Sequence, residues 1–131
     1  MNAAEVPTGQ LVAGLRAHAA GDLTAVAAVE LLIAHGHWLD RAPFRELTEW
    51  WPGDEHPAFA APDWGRLDNL AHHPHGQPAR LGPVFDTGSE LGVLKVACSL
   101  AAGWLGETVT SCDRTNVRLL AAAVLAAGGA R

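Results

Sequence analysis

The chain has 131 residues, 49% of them hydrophobic, and a formal net charge of −5 at pH 7. This length suits one domain over residues 1–131, and the hydrophobic fraction is high enough for a core, which argues against intrinsic disorder. The negative charge disfavours electrostatic binding to DNA, RNA or anionic lipid. No run of about 18 apolar residues and no signal-peptide pattern is visible, so we expect a cytoplasmic protein without membrane contact. The two cysteines, Cys98 and Cys112, lack a C-x-x-C spacing and predict reduced thiols.

Three helices are predicted in the first half of the chain, over 8–20, 23–35 and 40–51. Their N-termini follow the capping residues Thr8, Asp22 and Asp40. Gly36 fits the left-handed position that ends the second helix. The third helix is expected to end at Trp51, because Pro52 cannot continue it. Its apolar spacing places Trp51 in the core and makes Trp50 harder to bury.

The second half alternates helical patterns with irregular segments. An acidic link over 52–62, a short helix over 63–71 and a long loop over 72–86 precede the most apolar helix of the chain, at 88–102. A connection over 104–111 contains β-branched residues and predicts a short extended piece. A last helix begins after Asp113, and its inward positions are predicted to be Val117, Leu120, Ala121, Val124 and Leu125. The loop over 72–86 is long enough to be either mobile or functional.

The helix over 88–102 organises the predicted fold. Thr87 and Glu90 have the spacing of a capping box, in which each residue binds the backbone of the other. Apolar residues cover most of its circumference, and Lys95 and Ser99 leave one narrow polar strip. A helix of this kind is typical of the middle of a bundle. We therefore predict an all-α, single-domain bundle of about five helices around this central helix.

Asp86, Thr87, Gly88 and Ser89 spell D-T-G-S after apolar Val84 and Phe85. This string resembles the signature of aspartic proteases, which implies a carboxylate pair sharing one proton and, at this length, a dimer to supply the second Asp. That family is built of β-strands, whereas the residues after Ser89 predict a helix. A helix cap with Asp86 near the positive end of the helix dipole explains the same residues without catalysis.

Histidines suggest a second kind of site. His35 and His37 flank Gly36, and the long loop holds three more, at His72, His73 and His75. Imidazole clusters bind Zn, Ni or Cu, but a closed zinc site needs about four ligands and no known zinc spacing is present. We predict no cofactor and no metal, with these five histidines as the candidates if a metal is bound.

A third hypothesis is a small DNA-linked regulator. The second and third predicted helices, joined at HGHWL, imitate a helix-turn-helix, and Arg41 and Arg45 are of the type that contacts bases and phosphates. Glu46 and Glu49 lie beside them and oppose that role. An ordinary helical hairpin explains the same pattern.

Aromatic residues give the preferred hypothesis. Trp38, Trp51 and Trp104 are predicted to close the core, whereas Trp50 and Phe59, with Trp64 beyond the acidic link, are candidates for a protein-binding patch. The list of predicted partner-binding residues is completed by Arg114 and Arg118, which lie in the first turns of the last helix and suit a carboxylate from Glu107 or from a partner.

Three segments resemble small helical proteins of actinobacteria: AAVELLIAHGHWL at 27–39, WGRLD at 64–68 and SELGVLKVACSL at 89–100. The likeness extends over most of the chain and implies a stand-alone cytoplasmic domain, with no known activity attached to it. No phosphate-binding loop, dinucleotide fingerprint or hydrolase elbow is present. We therefore expect a non-enzymatic protein-interaction module, binding a protein partner or a second copy of itself.

Overall fold

The computed structural model describes residues 1–82, 84 and 86–129. Within these residues the fold is mostly helical, with seven α-helices and one two-stranded antiparallel sheet. The elements in chain order are α1 (Thr8–Ala19), α2 (Leu23–His35), α3 (Ala42–Glu46), β1 (Thr48–Trp51), β2 (Phe59–Pro62), α4 (Trp64–His72), α5 (Gly88–Ala102), α6 (Trp104–Thr110) and α7 (Arg114–Ala127). Short 3₁₀ turns lie at Trp38–Asp40 and Ala79–Leu81. The helical class is confirmed, but the all-α description is not, because a two-stranded hairpin is present.

The core lies between α1, α2, α4 and α5. Helix α5 packs mainly against α2, α4 and α6, while α1 packs against α2 and β2. The largest fully buried apolar side chains are Trp38, Phe44, Leu11, Leu15, Leu32, Leu67, Leu70 and Leu94. Helix α5 itself buries Leu94, Ala97 and Cys98, and it leaves Val96 exposed. It is therefore enclosed on one side rather than all round, which the predicted central-helix arrangement did not anticipate.

A β-hairpin replaces the second half of the predicted third helix. Helix α3 ends at Glu46, and residues 48–51, which are Thr and aromatic in three of four positions, pair with β2 in a register that sets Trp51 opposite Phe59. Side chains alternate along a strand, so Trp50 points inward and is 7% exposed, whereas Trp51 points outward and is 44% exposed. The expectation that Trp51 is in the core and Trp50 on the surface is therefore wrong.

The buried Trp50 ring lies on a glycine of α1. A Cβ atom added at Gly14 would meet Trp50 Cζ3 at 2.7 Å and the Ala60 backbone nitrogen at 3.1 Å. The absence of a side chain at Gly14 thus makes room for the indole between α1 and the hairpin. This contact is part of the packing of the buried face of the hairpin against α1.

The C-terminal third differs most from prediction. Residues 104–110 form α6 rather than an extended piece, and Trp104 is 73% exposed rather than buried. Asp113 caps α7 as predicted, accepting a hydrogen bond from the Asn116 backbone N–H at 2.8 Å. No described residue of α7 is buried, and the helix has no extensive contact with another element of the described chain. The predicted packing of its apolar face against the core of its own chain is therefore wrong.

In the part of the chain that the structure describes, no helix combines the length and the hydropathy needed to span a membrane.

Candidate functional site

One polar cluster joins the end of α2 to the start of α5. Helix α2 ends at His35 because Gly36 takes the left-handed conformation, with φ at 78°, and the chain then turns into the 3₁₀ turn beginning at Trp38. This turn places His37 opposite the residues that precede and open α5. The Trp38 indole N–H donates to the backbone oxygen of Glu90 at 2.9 Å, which ties the two segments together. We call His37, Arg41, Asp86 and Glu90 the α2–α5 cluster.

The His37 imidazole lies between two carboxylates. Its Nε2 atom is 2.5 Å from Asp86 Oδ1, and its Nδ1 atom is 2.7 Å from Glu90 Oε2. Arg41 approaches the same aspartate, with its Nε atom 3.0 Å from Oδ1 and a terminal nitrogen 3.5 Å from Oδ2. The Asp86 side chain is only 1% exposed, so its carboxylate depends on these neighbours for compensation.

The capping box fixes the second carboxylate. The Thr87 hydroxyl accepts from the Glu90 N–H at 3.2 Å, and Glu90 Oε1 accepts from the Thr87 N–H at 2.8 Å, as predicted. The Thr87 N–H is the main cause that lowers the pKa of Glu90 below its usual value, and positive charge at His37 and His35 lowers this pKa further. Glu90 therefore has one oxygen committed to the helix cap and the other directed at His37.

The cluster bears on two hypotheses drawn from the sequence. Asp86, the acid of the D-T-G-S string, faces His37 and Arg41, with no second aspartate beside it among the described residues. Arg41 is thus engaged with Asp86, and Arg45 is buried among backbone carbonyls. The DNA-linked hypothesis relied on both arginines being free, and it has no support in this geometry.

The remaining candidate histidines lie elsewhere. His72, His73 and His75 are exposed, and none of them belongs to a group of three ligand-type side chains among the described residues. His35 is also exposed, with its ring centroid 5.9 Å from that of His37. Of the five predicted metal candidates in the described residues, His37 lies between two carboxylates, whereas His72 contacts only Asp68, at 3.5 Å. No spacing in the sequence connects His37 with Asp86 and Glu90.

The predicted partner-binding residues do not form one patch. Trp50 is buried and does not present its ring to a partner, which corrects its assignment. Phe59 is half-buried and lines an apolar depression of about 480 Å³ together with Trp51, the exposed neighbour in its register. Trp64 lines a different groove, and Arg114 and Arg118 are exposed on α7.

That groove lies between α4, α5 and α6 and has a volume of about 510 Å³. Its principal side chains are Trp64, Asp68, Lys95, Val96, Trp104 and Leu105. We call it the α4–α6 groove. Exposed apolar residues also follow one another on α7, namely Leu119, Leu120, Val124 and Leu125. The chain therefore exposes an apolar groove and an apolar helix that is not packed into it.

Comparison of the chain with protein-family models, with curated proteins and with solved structures finds no match. The resemblance to actinobacterial proteins stays a prediction.

Proposed function

We propose that this chain is a protein-interaction module that self-associates, with α7 of one copy packing into the α4–α6 groove of a second copy. The observation that carries the proposal is the exposure of α7. Val124 is 71% exposed, and Leu119 and Leu125 are both more than half exposed on a helix that buries no residue. A run of exposed apolar side chains on one helix marks an interaction surface more often than a monomer surface.

The spacing on α7 suits packing against another helix pair. Val117, Leu120, Val124 and Ala127 recur at intervals of three and four residues, which is the seam of a helix that packs lengthwise on neighbours. The α4–α6 groove is open on the side where α5 exposes Val96. Trp104 on its rim is mostly exposed and would cover part of such a helix.

Charge favours a second copy as the partner. Residues 1–113 hold all fourteen Asp and Glu but only six of the nine Lys and Arg, whereas residues 114–131 hold three Arg and no acid. A basic helix thus extends from an acidic body. Arg114 and Arg118 on α7 would find Asp68 in the groove and Glu107 on α6 of the other copy. Such complementarity guides orientation and association rate.

Symmetry explains why an exchange would satisfy both surfaces. Each copy has one uncovered helix and one uncovered groove, so a two-fold arrangement buries two equivalent contacts and leaves neither surface unused. Burial of a leucine or valine side chain contributes about 1.5 to 3 kcal/mol. Two such side chains replaced by charge would remove about 3 kcal/mol or more from each contact. Dissociation of the dimer breaks both contacts, so the total loss of about 6 kcal/mol corresponds to a dissociation constant raised about 10⁴-fold.

The test is the oligomeric state of Leu120→Asp/Val124→Asp, measured by light scattering after size exclusion and by sedimentation. We expect the parent chain to be a dimer at micromolar concentration and the variant to be a monomer with unchanged helical circular dichroism. Leu23→Asp is the matched control, because Leu23 is 84% exposed on α2 but far in sequence from the proposed contact. It should remain dimeric.

The groove side is tested separately with Trp104→Asp, which should also produce a monomer. A parent chain that is monomeric at about 100 μM contradicts self-association. A Leu120→Asp/Val124→Asp variant that stays dimeric contradicts the role of α7.

A further inference from the structure

We propose that His37, Asp86 and Glu90 form a binding site for a divalent transition-metal ion of the zinc class. Each residue offers one ligand atom, and the three atoms lie within 4.8 Å of one another. Imidazole nitrogen and carboxylate oxygen are ligands that such ions accept, at bond lengths of about 2.0 to 2.2 Å. Ligand atoms around one ion are therefore about 3 to 4 Å apart, so shifts of about 1 Å or less would complete the site.

The ligands are held on segments that are fixed before any ion arrives. His37 follows the left-handed Gly36, and Glu90 is the third residue of a complete capping box. The Trp38 indole joins the two segments through the Glu90 backbone oxygen. The capping box uses Glu90 Oε1, whereas Oε2 contacts His37 Nδ1 at 2.7 Å and becomes a ligand when the ring gives up that contact. Such outer contacts orient metal ligands and are part of metal sites generally.

The buried Asp86 carboxylate is incompletely compensated. Its Oδ2 atom has one hydrogen bond among the described residues, from Arg41 at 3.5 Å, the outer limit of such a contact. The Arg41 Nε–H is itself buried without an acceptor, although it lies 3.0 Å from Asp86 Oδ1. The Arg41 Nε–H needs an acceptor and does not itself favour an ion, but the Asp86 carboxylate lacks a close donor at Oδ2, and a cation there would complete its compensation.

The hydrogen-bonding capacity of the His37 ring also favours a bound ion. A neutral imidazole has one N–H donor and one lone pair, so it can donate to only one of the two carboxylates that it contacts. With Nδ1–H donating to Glu90, the Nε2 lone pair faces Asp86 Oδ1, and an ion held by both atoms would remove the repulsion between them. Protonation of the ring would also satisfy both contacts, and metal titration distinguishes the two explanations.

Arg41 would weaken metal binding, because its guanidinium competes with the ion for the Asp86 carboxylate. Its side chain is 37% exposed and can leave Asp86 for solvent when an ion binds. The site contains two acids and one arginine, so its formal charge before binding is −1 with His37 neutral. Replacement of Arg41 by glutamine removes the competing cation and should tighten metal binding. A merely structural role of the cluster does not predict such an increase.

The experiment is a titration with ZnCl₂ by isothermal calorimetry, with Co²⁺ absorption as a second measurement. The three exposed loop histidines are first replaced by glutamine, because they can bind metal without belonging to the site: His72→Gln, His73→Gln and His75→Gln. In this background we expect one ion per chain. His37→Ala and Asp86→Asn should each weaken binding at least about tenfold.

Two further variants make the outcome specific. Arg41→Gln should bind zinc more tightly than its background, and His35→Ala, next to the site but outside it, should bind equally well. Circular dichroism of each variant checks that the fold is retained. Absence of binding at 1:1 stoichiometry overturns the proposal. Binding that is unaffected by both His37→Ala and Asp86→Asn overturns it too, because the ion then lies elsewhere.

Discussion

Arg45 should be one of the most sensitive residues of the fold, and Arg45→Met tests why. The guanidinium is buried and donates to the backbone oxygens of Leu39 at 2.7 Å and Ala3 at 3.2 Å, and also to that of Val6. It donates to the Thr8 hydroxyl at 3.0 Å as well. One side chain thus connects α3 to the N-terminal segment and to the 3₁₀ turn after α2.

The magnitude follows from these acceptors. A hydrogen bond from a charged donor contributes about 1.5 to 3 kcal/mol, and a buried carbonyl that loses its donor costs about 1 to 3 kcal/mol. Water can reach part of the N-terminal segment after the change, so the contributions do not add in full. We expect Arg45→Met to lower the free energy of unfolding by about 3 to 5 kcal/mol, a large share of the 5 to 15 kcal/mol typical of a domain.

The assay is urea unfolding followed by tryptophan fluorescence. Arg66→Met is the control, because the Arg66 side chain is 65% exposed, and it should change the unfolding free energy by no more than about 0.5 kcal/mol. Arg45→Lys keeps the charge but not the planar set of donors. Its loss of unfolding free energy should therefore lie between those of Arg45→Met and Arg66→Met. A loss below about 1 kcal/mol for Arg45→Met would show that the carbonyls do not depend on the guanidinium.

Two other predictions concern thiol chemistry and pH. Burial raises the pKa of Cys98 to about 12, so a disulfide reagent at pH 8 should label half-buried Cys112 first and Cys98 only after denaturation; equal labelling rates would contradict this. Hydrogen bonds from the Ala25 N–H and from Thr24 lower the pKa of Asp22, the cap of α2, below its unfolded value. The contribution of the Asp22 carboxylate to stability is therefore complete above its unfolded-state pKa and is lost as the pH falls through its folded-state pKa. The melting temperature of Asp22→Asn should accordingly approach that of the parent between pH 5 and pH 2. A difference that stays constant over that range would refute the assignment.

Helix boundaries were the most predictable part of this fold, because capping is local chemistry. Asp22 accepts from the backbone at the start of α2, Gly36 takes the left-handed conformation at its end, and Thr87 and Glu90 bind one another's backbone. Each of these depends on residues within four positions in the chain. The cap predicted at Thr8 is wrong for the opposite reason, since its hydroxyl is bonded to distant Asp40 and Arg45.

The hairpin was not predictable from spacing alone. A run such as Thr48–Trp51 fits one turn of an amphipathic helix and also a short strand, and four residues do not decide between them. The deciding contacts are remote: Gly14 on α1 makes room for Trp50, and Phe59 pairs with Trp51 from across the acidic link. Which of two adjacent tryptophans is buried therefore depends on residues far away in the sequence.

The α2–α5 cluster was hidden because its members belong to separate motifs. His37 belongs to a helix-ending segment, while Asp86 and Glu90 belong to a helix-starting segment 49 residues or more away. A signal was nevertheless present in the sequence, because the end of one predicted helix and the start of another both carried ligand-type residues next to strong capping residues. Packing of α2 on α5 turned these two ends into neighbours.

Helix α7 shows what a hydrophobic pattern does and does not establish. The spacing of Val117, Leu120 and Val124 correctly indicates a helix with an apolar face. It carries no information on which molecule covers that face, because burial in the same chain and burial in a second copy demand the same residues. The concentration of positive charge on α7 and of negative charge on residues 1–113 favours an acidic surface as the partner, whether in the same chain or in a second copy. The observation that separates the two cases is that α7 buries no residue and has no extensive contact with another element of the described chain.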